Sequence, residues 1–118
     1  LKPNMVLSGS GASDRAPAEE VARQTVDCFL EHVPASVPGI AFLSGGQGNE
    51  ESVVNLDAIN KIANAEDLPW ELTYSYGRGL QAAPLAVWKG EVANVAAAQA
   101  VFQQRGRDSS VAREGVYS

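Results

Sequence analysis

Residues 39–47 read GIAFLSGGQ, an apolar run that ends in a serine, two glycines and a glutamine. Because the apolar run does not alternate with polar residues, it predicts a strand over 39–43 that is buried on both faces. The serine and glycines directly after it predict a tight turn into a following helix. The stretch therefore predicts the strand–turn–helix unit from which parallel α/β folds are built.

The flanking segments repeat this unit. A helix is predicted over 17–32, a second helix over 50–64, and a further strand over 69–76, which is rich in residues that favour strands. Residues 1–2 read as the end of a preceding strand, because Pro3 cannot donate a hydrogen bond to a sheet. The alternation of strands and helices predicts right-handed βαβ units and a parallel sheet.

Helical composition returns after the last predicted strand, from about Leu80 to about Arg105. Pro84 and Gly90 predict interruptions of this helix, since a proline in a helix interior removes a hydrogen bond and costs about 3 kcal/mol. From Gly106 onward the residues are polar and read as a tail.

The composition limits the classes of function. The 118 residues carry a net charge of −5, so nucleic acid or an anionic membrane surface is an unfavourable main partner. A single cysteine, Cys28, excludes a disulfide framework within the chain, and a single histidine, His32, excludes a multi-histidine metal site. No apolar run approaches the roughly 20 residues that span a bilayer. The chain begins without an initiator methionine, and three strands would leave the edges of a sheet open, so we expect a piece of a longer protein.

Chemically useful residues follow each predicted strand: Lys2, then Ser44 with Gly45, then Gly77 with Arg78. Because active groups of parallel α/β folds gather at the carboxyl ends of strands, we expect these residues on one rim. A lysine can condense with a carbonyl to form an imine, and the N–H groups of a glycine turn at a helix start can hold a phosphate. Each residue alone is more often solvated or part of a tight turn, but the set suits a phosphorylated carbonyl substrate.

Several motifs of the chain resemble class I fructose-1,6-bisphosphate aldolases in order and spacing. They are LKPNMV, VPGIAFLSGGQ, NLDAIN, LTYSYGRGLQ and AAQAVFQQR, and together they cover almost the whole chain. The resemblance implies an α/β fold of the (β/α)8 TIM-barrel type. Residues 1–118 would then form a partial barrel domain, a C-terminal fragment with the end of strand six, strands seven and eight, and their helices.

The resemblance also implies roles for single residues. Lys2 would be the Schiff-base lysine that attacks the ketose C2 carbonyl, and Ser44 and Gly45 would hold the C1 phosphate of the substrate. Gly77 would contribute its backbone to the same pocket, and Arg78 would contact substrate phosphate. The implied reaction is the reversible cleavage of fructose 1,6-bisphosphate to dihydroxyacetone phosphate and glyceraldehyde 3-phosphate.

Further expectations follow from the same family. Ser75 would lie near the site, and Gly79 stands where many relatives have alanine. The reaction needs no metal or other cofactor, the partner is a phosphorylated ketose, the full-length protein would be a homotetramer, and the cytoplasm is the expected compartment. The acid/base carboxylates of the family lie on earlier strands that this chain lacks. We therefore expect the isolated 118 residues to be inactive and poorly folded or prone to aggregation.

Two other interpretations stay open at this point. The pentapeptide LSGGQ at residues 43–47 is also the hallmark of ATP-binding-cassette ATPases, where it contacts a nucleotide phosphate. That class should carry a Walker A segment, which is absent here, and a basic helix after the pentapeptide, whereas residues 48–52 read GNEES. The other interpretation is a non-catalytic binding or scaffold protein that keeps an aldolase-like barrel. The intact Lys2, Ser44 and Arg78 argue against it.

Overall fold

The computed structural model describes all residues from Leu1 to Ser118. Helices and strands alternate along most of the chain: α1 (Ala18–His32), β1 (Gly39–Phe42), α2 (Asn49–Glu66), β2 (Glu71–Tyr74), α3 (Arg78–Trp88), a short 3₁₀ turn (Val92–Asn94) and α4 (Val95–Arg113). The predicted helices over 17–32 and 50–64 and the predicted strands over 39–43 and 69–76 are confirmed to within a few residues at each end.

The sheet consists of two parallel strands, β1 and β2, with Ile40 aligned to Leu72 and Phe42 to Tyr74. The first residues of the chain run beside β1 along the edge that does not pair with β2. The amide of Ala41 donates to the carbonyl of Leu1 (2.8 Å), and the amide of Leu43 donates to the carbonyl of Pro3 (2.9 Å). The predicted strand end therefore lies at the edge of the sheet, although it is too short to form a regular strand.

The core lies between one face of the sheet and helices α1 and α2. Ile40 and Phe42 are fully buried, and the apolar side chains of α1 and α2 that face them are buried as well. The ring of Phe29 on α1 stacks on Phe42 with 5.7 Å between centroids and meets Trp70 edge-on at 6.2 Å. Buried apolar residues of this layer are Val21, Ala22, Val26, Phe29, Val53, Leu56, Ile59 and Leu72.

The other face of the sheet is partly open. Burial alternates along β1, with Gly39 and Ala41 intermediate between the buried Ile40 and Phe42. Thr73 on β2 is likewise only half-buried. The prediction of a strand buried on both faces is therefore wrong for this chain. The physical reason is that the helices pack on a single face, and none of the 118 residues forms a layer over the other.

The last third of the chain differs most from its prediction. Helix α3 continues through Pro84 to Trp88 and ends where Lys89 and Gly90 adopt positive φ values of 54° and 75°. The interruption near Gly90 is confirmed, whereas the one at Pro84 is wrong. Helix α4 extends past Arg105 to Arg113, because its side chains keep packing against α2 and the sheet. No helix is both long and apolar enough to cross a membrane.

Candidate active site

Three chain segments meet where the parallel segments end: the residues around Lys2, the turn that follows β1, and the start of α3. Backbone hydrogen bonds join them. The amide of Leu43 donates to the carbonyl of Pro3 (2.9 Å), and the amide of Ser75 donates to the carbonyl of Phe42 (2.8 Å). We call this set of segments, residues 2–4, 44–47 and 75–79, the strand-end rim. It contains all six site residues that the sequence predicts.

The turn after β1 is held in one conformation by its neighbours. The amide of Gln47 donates to the carbonyl of Ser44 (3.1 Å), and Gly46 adopts a φ of +76°, which favours glycine. The side chain of Asn4 donates to the carbonyl of Gly45 (3.0 Å), and the guanidinium of Arg15 donates to the carbonyl of Gly46 (3.0 Å). The turn is thereby fastened to the segment that carries Lys2.

Ser44 connects this turn to the start of α3. Its side chain is buried, and its hydroxyl oxygen accepts a hydrogen bond from the amide of Gly79 (3.3 Å). The Ser44 side chain packs closely against Gly79 here. A Cβ atom added at Gly79 would lie 3.1 Å from the Ser44 oxygen and 3.1 Å from the ring of Tyr76. The structure therefore brings Ser44 together with the first turn of the helix that Arg78 begins.

Lys2, Ser75, Gly77 and Arg78 are all exposed on the rim. Neither Lys2 nor Arg78 belongs to any of the ion pairs of the chain. Two uncommitted cations thus flank a turn and a helix start, where peptide dipoles favour an anion. An amine, a guanidinium and a helix N-terminus can together bind the phosphate of a phosphorylated carbonyl compound and present a nitrogen atom to its carbonyl carbon.

Sequence reasoning missed three residues that fasten the rim: Asn4, Arg15 and Arg105. Asn4 stands two residues after Lys2 and lies inside the motif LKPNMV, so it could have been found. Arg15 reaches Gly46 across 31 positions, and Arg105 reaches the carbonyl of Gly79 across 26 (3.1 Å). Arg105 ends the motif AAQAVFQQR, whereas no motif contains Arg15. The role of neither arginine can be read locally, because their acceptors are backbone carbonyls on distant segments.

Residues outside the rim offer no competing centre. Cys28 is half-buried on α1, and His32 is exposed at its end. No group of three or more histidine, cysteine or acidic side chains has an arrangement that could hold a metal ion. The Tyr76 hydroxyl donates to the carbonyl of Ser52 (2.7 Å), and burial raises the pKa of that hydroxyl. Tyr76, although within the rim segment 75–79, is thus a buried packing residue.

The model of the family described as fructose-bisphosphate aldolase class-I matches residues 1–118. The chain belongs to this family. The chain is 50% identical over 117 residues to fructose-bisphosphate aldolase B of Sparus aurata, a match that covers 99% of this chain and 32% of that protein. It is 46% identical to fructose-bisphosphate aldolase 4, cytosolic, of Arabidopsis thaliana, with 99% of this chain and 29% of that protein covered.

A solved structure shows the same fold. The aldolase of Plasmodium falciparum, crystallised in a ternary complex with TRAP and a small molecule inhibitor, superposes with a TM-score of 0.92 at 44% identity. The match covers 100% of this chain and 33% of that one. The chain thus spans about a third of the length of the aldolases it matches. A helix-rich segment with two parallel strands is consistent with part of a barrel, and membership of the aldolase family rules out the ATP-binding-cassette interpretation of LSGGQ.

Proposed function

We propose that these residues form the Schiff-base and phosphate-binding part of a class I fructose-bisphosphate aldolase. The substrate would be fructose 1,6-bisphosphate, cleaved reversibly to dihydroxyacetone phosphate and glyceraldehyde 3-phosphate. One observation carries the proposal. Hydrogen bonds fasten the segments of Lys2, Ser44 and Arg78 into a single rim at the carboxyl ends of parallel strands, which is where α/β enzymes keep their active groups.

Lys2 would act as the nucleophile. Its amine nitrogen adds to the C2 carbonyl of the ketose, and loss of water leaves a protonated imine. When a base removes the proton of the C4 hydroxyl, the C3–C4 bond breaks and its electron pair moves to the imine as an enamine. C4 leaves as the aldehyde product. Protonation of C3 and hydrolysis of the imine then release dihydroxyacetone phosphate and restore the amine.

Ser44, Gly45, Gly77 and Arg78 would bind the phosphate of the substrate. The Ser44 hydroxyl keeps its proton available as a donor, because its oxygen already accepts the hydrogen bond from Gly79. Arg78 is the first residue of α3. Its planar guanidinium therefore extends from the helix N-terminus, where peptide dipoles favour anions. Ser75, exposed between β2 and this helix, would lie at the margin of the site.

The remaining features of the proposal concern the whole protein. The segment would supply the end of strand six and strands seven and eight of a (β/α)8 barrel, with residues 1–118 as an incomplete domain. The full-length protein would be a cytoplasmic homotetramer that needs no metal, since the imine itself accepts the electrons. The Arabidopsis relative whose name includes "cytosolic" supports the compartment. Acid/base residues would come from segments outside these 118.

Borohydride trapping tests the assignment of Lys2. The full-length protein is incubated with fructose 1,6-bisphosphate and sodium borohydride, and the modified lysine is located by mass spectrometry. We expect one adduct on Lys2, and loss of both the adduct and cleavage activity in Lys2→Ala. Lys89→Asn, which removes an exposed lysine outside the rim at a position of positive φ that asparagine tolerates, serves as the control. An adduct that persists in Lys2→Ala would refute the assignment.

The same assay separates the enzyme from the scaffold alternative. A non-catalytic binding protein would hold the sugar phosphate at the rim but form no adduct and cleave no substrate. The isolated 118 residues provide a further comparison. We expect them to show neither adduct nor turnover, because the acid/base groups are absent and one face of the sheet is partly open.

A further inference from the structure

Arg105 lies on α4, on a different element from every predicted site residue, yet it is one of the few buried charges of the chain. Its Nε atom donates to the carbonyl of Gly79 (3.1 Å), and its terminal nitrogen donates to the carbonyl of Asn49. Gly79 is the second residue of α3 and Asn49 the first residue of α2. One planar side chain therefore bridges the first turns of two helices.

The two hydrogen bonds place Arg105 directly behind the rim. Gly79 accepts the Arg105 hydrogen bond at its carbonyl and donates its own amide to the Ser44 hydroxyl (3.3 Å). The first turn of α2 follows the Ser44 turn, separated from it only by Gly48. A shift of Arg105 would thus move Gly79, which is the hydrogen-bond partner of Ser44, and also the start of α2 at Asn49.

The charge of Arg105 is only partly balanced. Its nearest carboxylate is Asp108, one turn further along α4, at 3.7 Å. Its other two acceptors are neutral carbonyls. The ion pair with Asp108 is long, so the guanidinium is held mainly by the two backbone carbonyls at the helix starts.

We propose that Arg105 is a positioning residue for the substrate phosphate. It holds the first turns of α2 and α3 at a set separation, so that Ser44 and the start of α3 form one preorganised phosphate cradle. It acts through Gly79 and Asn49 and touches neither the substrate nor Lys2. This inference rests on the proposed aldolase function. It adds to that function a residue that holds the phosphate-binding segments in place and does not contact the phosphate itself.

The test compares Arg105→Met and Arg105→Lys with Arg107→Met in the full-length protein. Arg107 is exposed on the same helix, and its guanidinium donates only to Gln104 (3.1 Å), so it is a matched control. We expect Arg105→Met to raise the KM for fructose 1,6-bisphosphate about tenfold or more, the loss typical of charged hydrogen bonds. The inhibition constant of inorganic phosphate should rise by a similar factor. Arg105→Lys keeps the charge but lacks the fork and should show a smaller rise.

Imine formation distinguishes a weaker phosphate cradle from a general loss of structure, because a general loss would reduce trapping with every ketone. Borohydride trapping of Lys2 with dihydroxyacetone, which carries no phosphate, should be unchanged in Arg105→Met, while trapping with dihydroxyacetone phosphate should need higher concentrations. Wild-type KM and phosphate inhibition in a folded Arg105→Met would overturn the inference. Should that variant fail to fold, the same result in Arg105→Lys would overturn it. Absence of any Lys2 adduct in the wild-type protein would instead overturn the proposed function.

Discussion

The two helical pairs of this chain pack in opposite ways. In the pair α1 and α2, large apolar side chains point inward, and Val26, Phe29 and Leu56 are buried against the sheet. In the pair α3 and α4, the buried residues are Gly79, Ala98, Arg105, Ser109 and Ala112, which are small or polar. Four large apolar side chains of this second pair, Leu85, Trp88, Val95 and Phe102, are exposed around a groove of about 340 Å³, whereas Leu80 packs against the core.

The difference shows that an apolar residue in a helix is buried only where another layer meets it. Small residues let α4 approach α2 closely, and four bulky side chains of α3 and α4 line a groove instead of entering the core. The pair α1 and α2 stabilises the fold, whereas the pair α3 and α4 supplies the start of α3 and the Arg105 bridge to the rim. Three changes test this contrast.

Phe42→Ala should have the largest effect on stability. Phe42 is fully buried and stacks on Phe29, so truncation should lower the free energy of unfolding of the full-length protein by about 3–5 kcal/mol, as a cavity forms. Phe102→Ala removes a half-exposed ring of the same size and should cost clearly less. Urea unfolding measures both. Equal costs would contradict the contrast between the two helical pairs.

Alkaline pH should have the next largest effect, through Tyr76, which lies between the two pairs. Burial raises the pKa of this hydroxyl, so the folded state holds the proton that the unfolded state releases above about pH 10. Below that pH, Tyr76 therefore does not lower the free energy of unfolding. Above it, the free energy of unfolding falls by about 1.4 kcal/mol per pH unit, until the hydroxyl of the folded state also ionises. Urea unfolding between pH 9 and 11 measures the slope, and Tyr76→Phe should reduce it. An unchanged slope in that variant would assign it to other groups.

Arg23→Ala should have the smallest effect. Arg23 of α1 pairs with Asp27 on the same helix and with Glu66 on α2, but all three side chains are at least 40% exposed. Ion pairs in such positions contribute about 0.2–1 kcal/mol, and salt screens them. Urea unfolding at low and high salt measures the contribution. A loss above 2 kcal/mol would show that surface charge, rather than the buried layer, holds α1 to α2.

Much of the fold and of the site could be predicted because the signals are local. The apolar run before Ser44 and the β-forming residues before Gly77 indicate two strands, and the helical spacing of apolar residues indicates α1 and α2. Lys2, Ser44 and Arg78 follow strand ends, and parallel strands bring such ends to one rim. The motifs around these residues led to the family, which the match over residues 1–118 confirms.

The errors arose where distant residues decide the outcome. The polar residues after Gly106 read as a tail, yet Ser109 and Ala112 are fully buried and keep α4 helical to Arg113. Pro84 reads as an interruption, yet α3 continues past it because α4 packs along its length. In both cases a contact between helices outweighs the local preference of the residue.

The order of the elements, the glycine turn after β1 and the residue types on the rim follow from the amino-acid sequence alone, because each depends on neighbouring residues and on backbone preferences. Tertiary packing sets which residues of α3 and α4 are buried and brings Arg15 and Arg105 to the rim. A hydrogen bond from Arg105 to a backbone carbonyl needs no particular residue at position 79. The sequence around Arg105 therefore does not show which carbonyl this side chain contacts, and the contact exists only once α3 and α4 have packed.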